Sequence, residues 1–161
     1  MPTGPHPGSA APGQRALRIL ARREVSAARL ALDLAAQGLD PKQVAAELEV
    51  VQRLGALDDL RSASARALTL VEQGTRGRQG MHARLVAAGY AAELVEHVLG
   101  AAIDSAGWDE PTAARALLAL RPAPEGPRAL ARLGRFLLSR GFDPDTVRRV
   151  LPGLEGMEGP G

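Results

Sequence analysis

A glycine followed by a large apolar residue recurs at Gly38-Leu39, Gly89-Tyr90 and Gly141-Phe142, in steps of 51 and 52 residues. The flanks recur with it. Four residues before each glycine stands Leu34, Leu85 or Leu137, and eight before stands Leu30, Met81 or Leu133. Six after comes Val44, Val95 or Val147, and ten after comes Leu48, Leu99 or Leu151. One repeated helix pair accounts for the whole pattern. It makes the chain an array of similar units rather than a single compact enzyme fold.

The glycine has a physical role. Helices commonly end on a residue in the left-handed conformation, where glycine escapes the steric cost of a Cβ. The next residue then folds back onto the helix end, which predicts the pairs Leu39–Leu34, Tyr90–Leu85 and Phe142–Leu137. Asp40-Pro41 and Asp143-Pro144 read as the N-cap and first position of the following helix, because Asp accepts free amides and Pro lacks one. The middle copy has Ala91-Ala92 there, a poorer cap.

Ala, Leu and Arg dominate, β-branched residues are sparse, and no long alternating stretch predicts a strand. The fold expected is all-α. Apolar residues make up 45% of the chain, enough for a core. Absence of cysteine excludes disulfides, thiolate zinc sites and cysteine nucleophiles. No apolar run approaches the roughly 20 residues of a membrane span, and the first 14 residues have no apolar signal-peptide segment. A cytoplasmic protein with no membrane partner is expected.

The periodicity predicts nine helices in three sets of three: 15–57, 58–107 and 108–151, with disordered ends at 1–14 and 152–161. Each set is too small to bury its own core, so neighbours share apolar surface and build an elongated, curved array. Within it, Asp58-Asp59 opens a helix with Leu60, Ala63, Ala67 and Leu70 on one face. Gln73–Gly80 reads as a glycine- and arginine-rich loop. Trp108 and Phe136 read as core.

The formal net charge is +2, carried by 19 Arg and one Lys. Residues 15–56 hold seven cations and five acids, 57–107 five and six, and 108–151 eight and five. The net charges are therefore +2, −1 and +3, a distribution suited to a polyanion or a mixed-charge partner.

Leu54-Gly55-Ala56-Leu57-Asp58-Asp59-Leu60-Arg61-Ser62-Ala63 resembles the junction of the first two repeats in the RecX family of recombinase regulators. Leu20-Ala21-Arg22-Arg23-Glu24-Val25-Ser26 is similar to the opening repeat of that family. Phe136 to Phe142 with Val147-Arg148-Arg149-Val150-Leu151 resembles its closing repeat. An aromatic usual in the family is replaced here by Ser62. The resemblance implies three tandem three-helix repeats that bind the RecA recombinase filament, along its helical groove. It also implies suppression of filament assembly, ATPase, strand exchange and co-protease activity, a role in DNA repair and the SOS response. Some members also bind DNA. A sequence-independent DNA-binding helical protein, on single or double strands, is the alternative.

Candidate contacts with a filament or DNA are the arginine clusters Arg22-Arg23, Arg76 with Arg78, Arg132 with Arg135, and Arg148-Arg149. Free amides in Gly74–Gly80 beside Arg76 and Arg78 suit phosphate or carboxylate. That segment follows no strand and lacks a Gly-Lys-Ser/Thr ending, so it is not a nucleotide P-loop. Arg132 and Arg135, three apart, are expected on one helix face. Asp58-Asp59 reads as a cap rather than a metal site. His6, His82 and His97 stand apart from any acid–nucleophile arrangement. Ser26, Ser62 and Ser64 read as cap and surface residues. No catalytic group, cofactor or metal ion is expected, and the protein is expected to be a monomer.

Overall fold

The structure, a computed structural model, describes residues 10–154. His6 and most of both expected disordered ends lie outside the described residues. Among those described there is no strand, and nine helices follow in order. They are α1 (Gln14–Leu20), α2 (Ala27–Ala36), α3 (Pro41–Arg53), α4 (Asp59–Gln73) and α5 (Arg78–Ala87). Then come α6 (Ala92–Ala106), α7 (Glu110–Ala119), α8 (Pro127–Ser139) and α9 (Pro144–Val150). The fold is an all-α repeat array.

The repeated glycine does what its spacing predicts. Gly38, Gly89 and Gly141 have φ of 90°, 96° and 78°. At the end of α2 the Leu39 amide donates to Leu34 C=O at 3.3 Å and the Gly38 amide to Ala35 C=O at 2.9 Å. Phe142 and Gly141 repeat both bonds on Leu137 and Leu138 at the end of α8. Such paired bonds satisfy carbonyls that a helix end otherwise leaves open.

Helix starts use two devices. Asp40, Asp109 and Asp143 cap their own helices, and Asp40 forms a full capping box with Gln43. Ala91 supplies no side-chain cap to α6, as expected. Elsewhere the cap is borrowed. Gly13 stands before α1, and buried Glu47 from α3 accepts the Ala16 amide at 2.9 Å. Gly77 stands before α5, and Glu110 from α7 accepts the Arg78 amide at 2.9 Å. Asp58 accepts the Arg61 amide of its own helix, whereas Asp59 accepts the Ala27 amide of α2 at 2.8 Å. The acid pair is a capping device, but it caps two helices.

Contacts divide the described chain into two compact units. One holds the residues up to Ser62 with Ala88–Tyr90, the other Ala63–Ala87 with those from Ala91 on. In the first, Ala16, Val25, Leu30, Leu34, Leu39, Val51 and Leu57 form the core. Ser26 is buried there. Its hydroxyl accepts the Arg29 amide at 3.1 Å and donates to Ala88 C=O at 2.7 Å. Ser62, expected on the surface, is buried, and its hydroxyl meets the Tyr90 hydroxyl at 2.6 Å. In the second, Ala114, Leu137, Phe142, Val147 and Leu151 form one core, with Phe136 and Leu154 partly buried against it. The Trp108 indole N–H is buried with no acceptor among the described residues.

Three local expectations change. The buried face of α4 is Ala63, Ala67 and Val71, and Leu60 is 54% exposed. Ser62 turned inward rotates Leu60, two residues earlier, about 200° away. Gln73–Gly80 is not a loop throughout, because α5 begins at Arg78. Gly77 and Gly80 are packing residues: a Cβ at either would collide with the Arg140–Phe142 backbone. Gln14 is already helical, and Leu154 packs over Gly134, so order extends past both expected limits.

Candidate functional site

Several of the predicted phosphate-binding amides are occupied. The Gly77 amide donates to Arg140 C=O at 3.1 Å, the Gly80 amide to Gly141 C=O at 3.4 Å, and the Arg78 amide to Glu110. The Arg78 guanidinium pairs with Glu96 at 3.1 Å, and His82 Nε2 lies 3.2 Å from the same carboxylate. These amide donors close a helix start against the end of α8 and against Glu110 of α7.

The eight candidate arginines separate into paired and unpaired side chains. Arg23 is held by Asp33 at 2.6 Å, Arg78 by Glu96, and Arg148 by Asp145. Arg22, Arg76, Arg132, Arg135 and Arg149 make no ion pair among the described residues. In the first unit, Arg22 and Arg23 share a hollow of about 420 Å³ with Arg15 and Arg18 over Ile19 and Ala36. Helical spacing puts Arg15 and Arg18 on one side of α1, and Arg22 follows just beyond its C-terminal end.

In the second unit, Arg132 and Arg135 line different hollows. Arg132 lines a hollow of about 570 Å³ with Arg121, Glu125 and Phe136. Arg135 lines another, of about 330 Å³, with Arg148. Arg149 acts on Asp109, whose carboxyl lies below its usual range. The Thr112 hydroxyl is the main cause there, followed by the Thr112 amide and the charges of Arg115 and Arg149.

Sequence reasoning missed Arg84, Arg121 and Arg140. The Phe136 ring packs partly on the core, but its faces meet the Arg121 guanidinium at 3.7 Å and the Arg140 guanidinium at 5.4 Å. Such contacts hold cations over the ring quadrupole. Half-buried Arg76 is depressed below its ordinary range by desolvation, then by the charges of Arg84 and Arg140. The spacing of Arg132, Phe136 and Arg140, four apart, was the available signal: one face of α8.

A family description, RecX third three-helix domain, matches residues 112–151. The regulatory protein RecX of Chromohalobacter salexigens is 35% identical over 144 residues, 88% of this chain and 91% of that protein. The chain belongs to the RecX family. The RecX of Stenotrophomonas maltophilia is 34% identical and that of Halorhodospira halophila 37%, covering 93% and 83% of this chain and 92% and 81% of theirs. The crystal structure of RecX from Lactobacillus salivarius, 15% identical, superposes with a TM-score of 0.65 over 89% of this chain and 94% of that one. It shows the same fold. These relatives are named regulatory proteins. Among the described residues no group of His, Asp and Glu is placed to hold a metal ion, and no helix is long and apolar enough to cross a membrane. As a RecX-family surface, the site offers exposed guanidiniums suited to oxyanions.

Proposed function

We propose that this protein binds filaments of the RecA recombinase and inhibits their assembly, ATPase, strand exchange and co-protease activity. It does so in the cytoplasm, as a monomer and without catalysis of its own. Membership of the RecX family over most of the chain carries the reading. Unpaired arginines in both compact units support it. Arg22 in the first and Arg76, Arg132 and Arg135 in the second are free to meet acidic filament surface or bound DNA. Two weak contacts made by one chain reinforce each other through effective concentration, so inhibition at less than one protein per protomer is expected.

Purified RecA filaments on single-stranded DNA test it. Added substoichiometrically, the protein is expected to lower ATP hydrolysis and shorten filaments. Unchanged hydrolysis at equimolar protein rejects the reading. Affinity for naked DNA equal to that for the filament would favour the DNA-binding alternative.

A further inference from the structure

We propose that Arg76, Arg84 and Arg140, with the hollow beside Phe136, form a binding site for the polyphosphate of a free nucleotide. The proposal goes beyond filament inhibition and does not rest on it.

The three arginines come from different elements. Arg76 lies between α4 and α5, Arg84 on α5, and Arg140 directly after α8. The α5 start is fixed against the α8 end by the Gly77 amide on Arg140 C=O and the Gly80 amide on Gly141 C=O. Those bonds need glycine at 77 and 80, since a Cβ would strike the opposing backbone. Arg84, four positions after Gly80, lies on the helix face that meets this junction. None of the three has a carboxylate partner among the described residues. Desolvation, and after it the charges of Arg84 and Arg140, disfavour the cationic form of Arg76. Mutual repulsion of clustered guanidiniums is relieved most by a compact anion of several charges.

Phe136 joins this cluster to the adjoining hollow. Both the Arg140 and the Arg121 guanidiniums lie over the ring. Beyond Arg121 the hollow is lined by Pro122, Pro124, Glu125 and Arg132. Its 570 Å³ is within the range of small-molecule sites. A nucleoside there would put its phosphates towards Arg140, Arg76 and Arg84, and Glu125 offers an acceptor for a hydroxyl or amino group. A single nucleic-acid strand fits less well. Strand binding without sequence preference uses open aromatic faces, and the Phe136 ring is already engaged by guanidiniums.

Calorimetric titration of the full chain at constant ionic strength tests the site, with ATP, tripolyphosphate, inorganic phosphate and a single-stranded oligonucleotide as probes. ATP is expected to bind tighter than tripolyphosphate, and inorganic phosphate about tenfold weaker or more, since each lost charge-assisted bond is worth that order. Arg84→Gln and Arg140→Gln are each expected to weaken ATP by about tenfold. Their unliganded melting temperatures should hold or rise, because repulsion is relieved. No heat with ATP or tripolyphosphate at millimolar concentration overturns the proposal. So does equal ATP binding by the variants, or oligonucleotide binding through the same arginines that ATP does not displace. Filament inhibition is read in a separate assay, so either result leaves that function standing or falling on its own evidence.

Discussion

A Cβ added at Gly89 would lie 2.5 Å from Ser26 Oγ and 3.3 Å from the Ala28 Cβ, at a φ of 96°. Gly38 has the same conformation, but a Cβ there meets nothing within 4 Å. Glycine is thus demanded twice over at Gly89 and once at Gly38. Gly89→Ala is expected to destabilise by about 1–2 kcal/mol or more, through both strain and contact. Gly100→Ala, in the open middle of α6, is expected to stabilise by about 0.5–1 kcal/mol. Thermal melting of the two variants should therefore move in opposite directions, and shifts of one sign would refute the assignment. The Ser62–Tyr90 hydroxyl pair makes a second case. Ser62→Ala leaves the phenol without its partner and is expected to cost about 1–3 kcal/mol. Adding Tyr90→Phe should cost less than the two single changes summed, as a double-mutant cycle measures. Additive losses would show that the pair is not coupled. Sequence reading put Ser62 on the surface because a lone serine carries no periodic signal, and its partner stands 28 residues away.

At the scale of elements, helix existence and type were legible, and most boundaries fell within one or two residues. Periodic leucines, Asp-Pro starts and glycine ends are local signals, and local signals survive in a single sequence. What stayed hidden is non-local. Glu47 and Glu110 each complete a helix start 31 or 32 residues away, a pairing no local pattern carries. The loop reading of Gln73–Gly80 held only for 74–77 for the same reason, since Gly77 and Gly80 answer to the backbone of Arg140 to Phe142. Glu47→Ala is expected to fray α1 and cost about 1–2 kcal/mol, the usual worth of an N-cap. Amide hydrogen exchange checks it: the Ala16 amide should lose protection well before the middle of α3. Glu110→Ala should do the same to the Arg78 amide, and it also removes the Thr146 hydroxyl's acceptor at 3.4 Å. Full protection in both variants would refute the borrowed caps.

Over the whole molecule, the sequence located some of the unpaired cations but not their grouping. Arg22, Arg76, Arg132 and Arg135 were named from clustering along the chain, whereas Arg84, Arg121 and Arg140 join Arg76 and Phe136 only when helices meet. Charge reversal should therefore spare arginines that already hold carboxylates. Arg132→Glu with Arg135→Glu in the second unit, and Arg22→Glu in the first, remove no ion pair and little apolar burial. Helicity and melting are expected to change little, while inhibition of RecA ATP hydrolysis weakens and becomes less salt-dependent. If both variants fold and inhibit like wild type, these arginines are solvated faces only. The two units also interleave along the chain, because Ala88–Tyr90 belongs with the residues up to Ser62. Ser26 needs Ala88 C=O and Ser62 needs the Tyr90 hydroxyl. During synthesis from the N-terminus, the first unit cannot be finished when Ser62 leaves the ribosome. It waits for Tyr90, by which time all of α4 and α5 has been made.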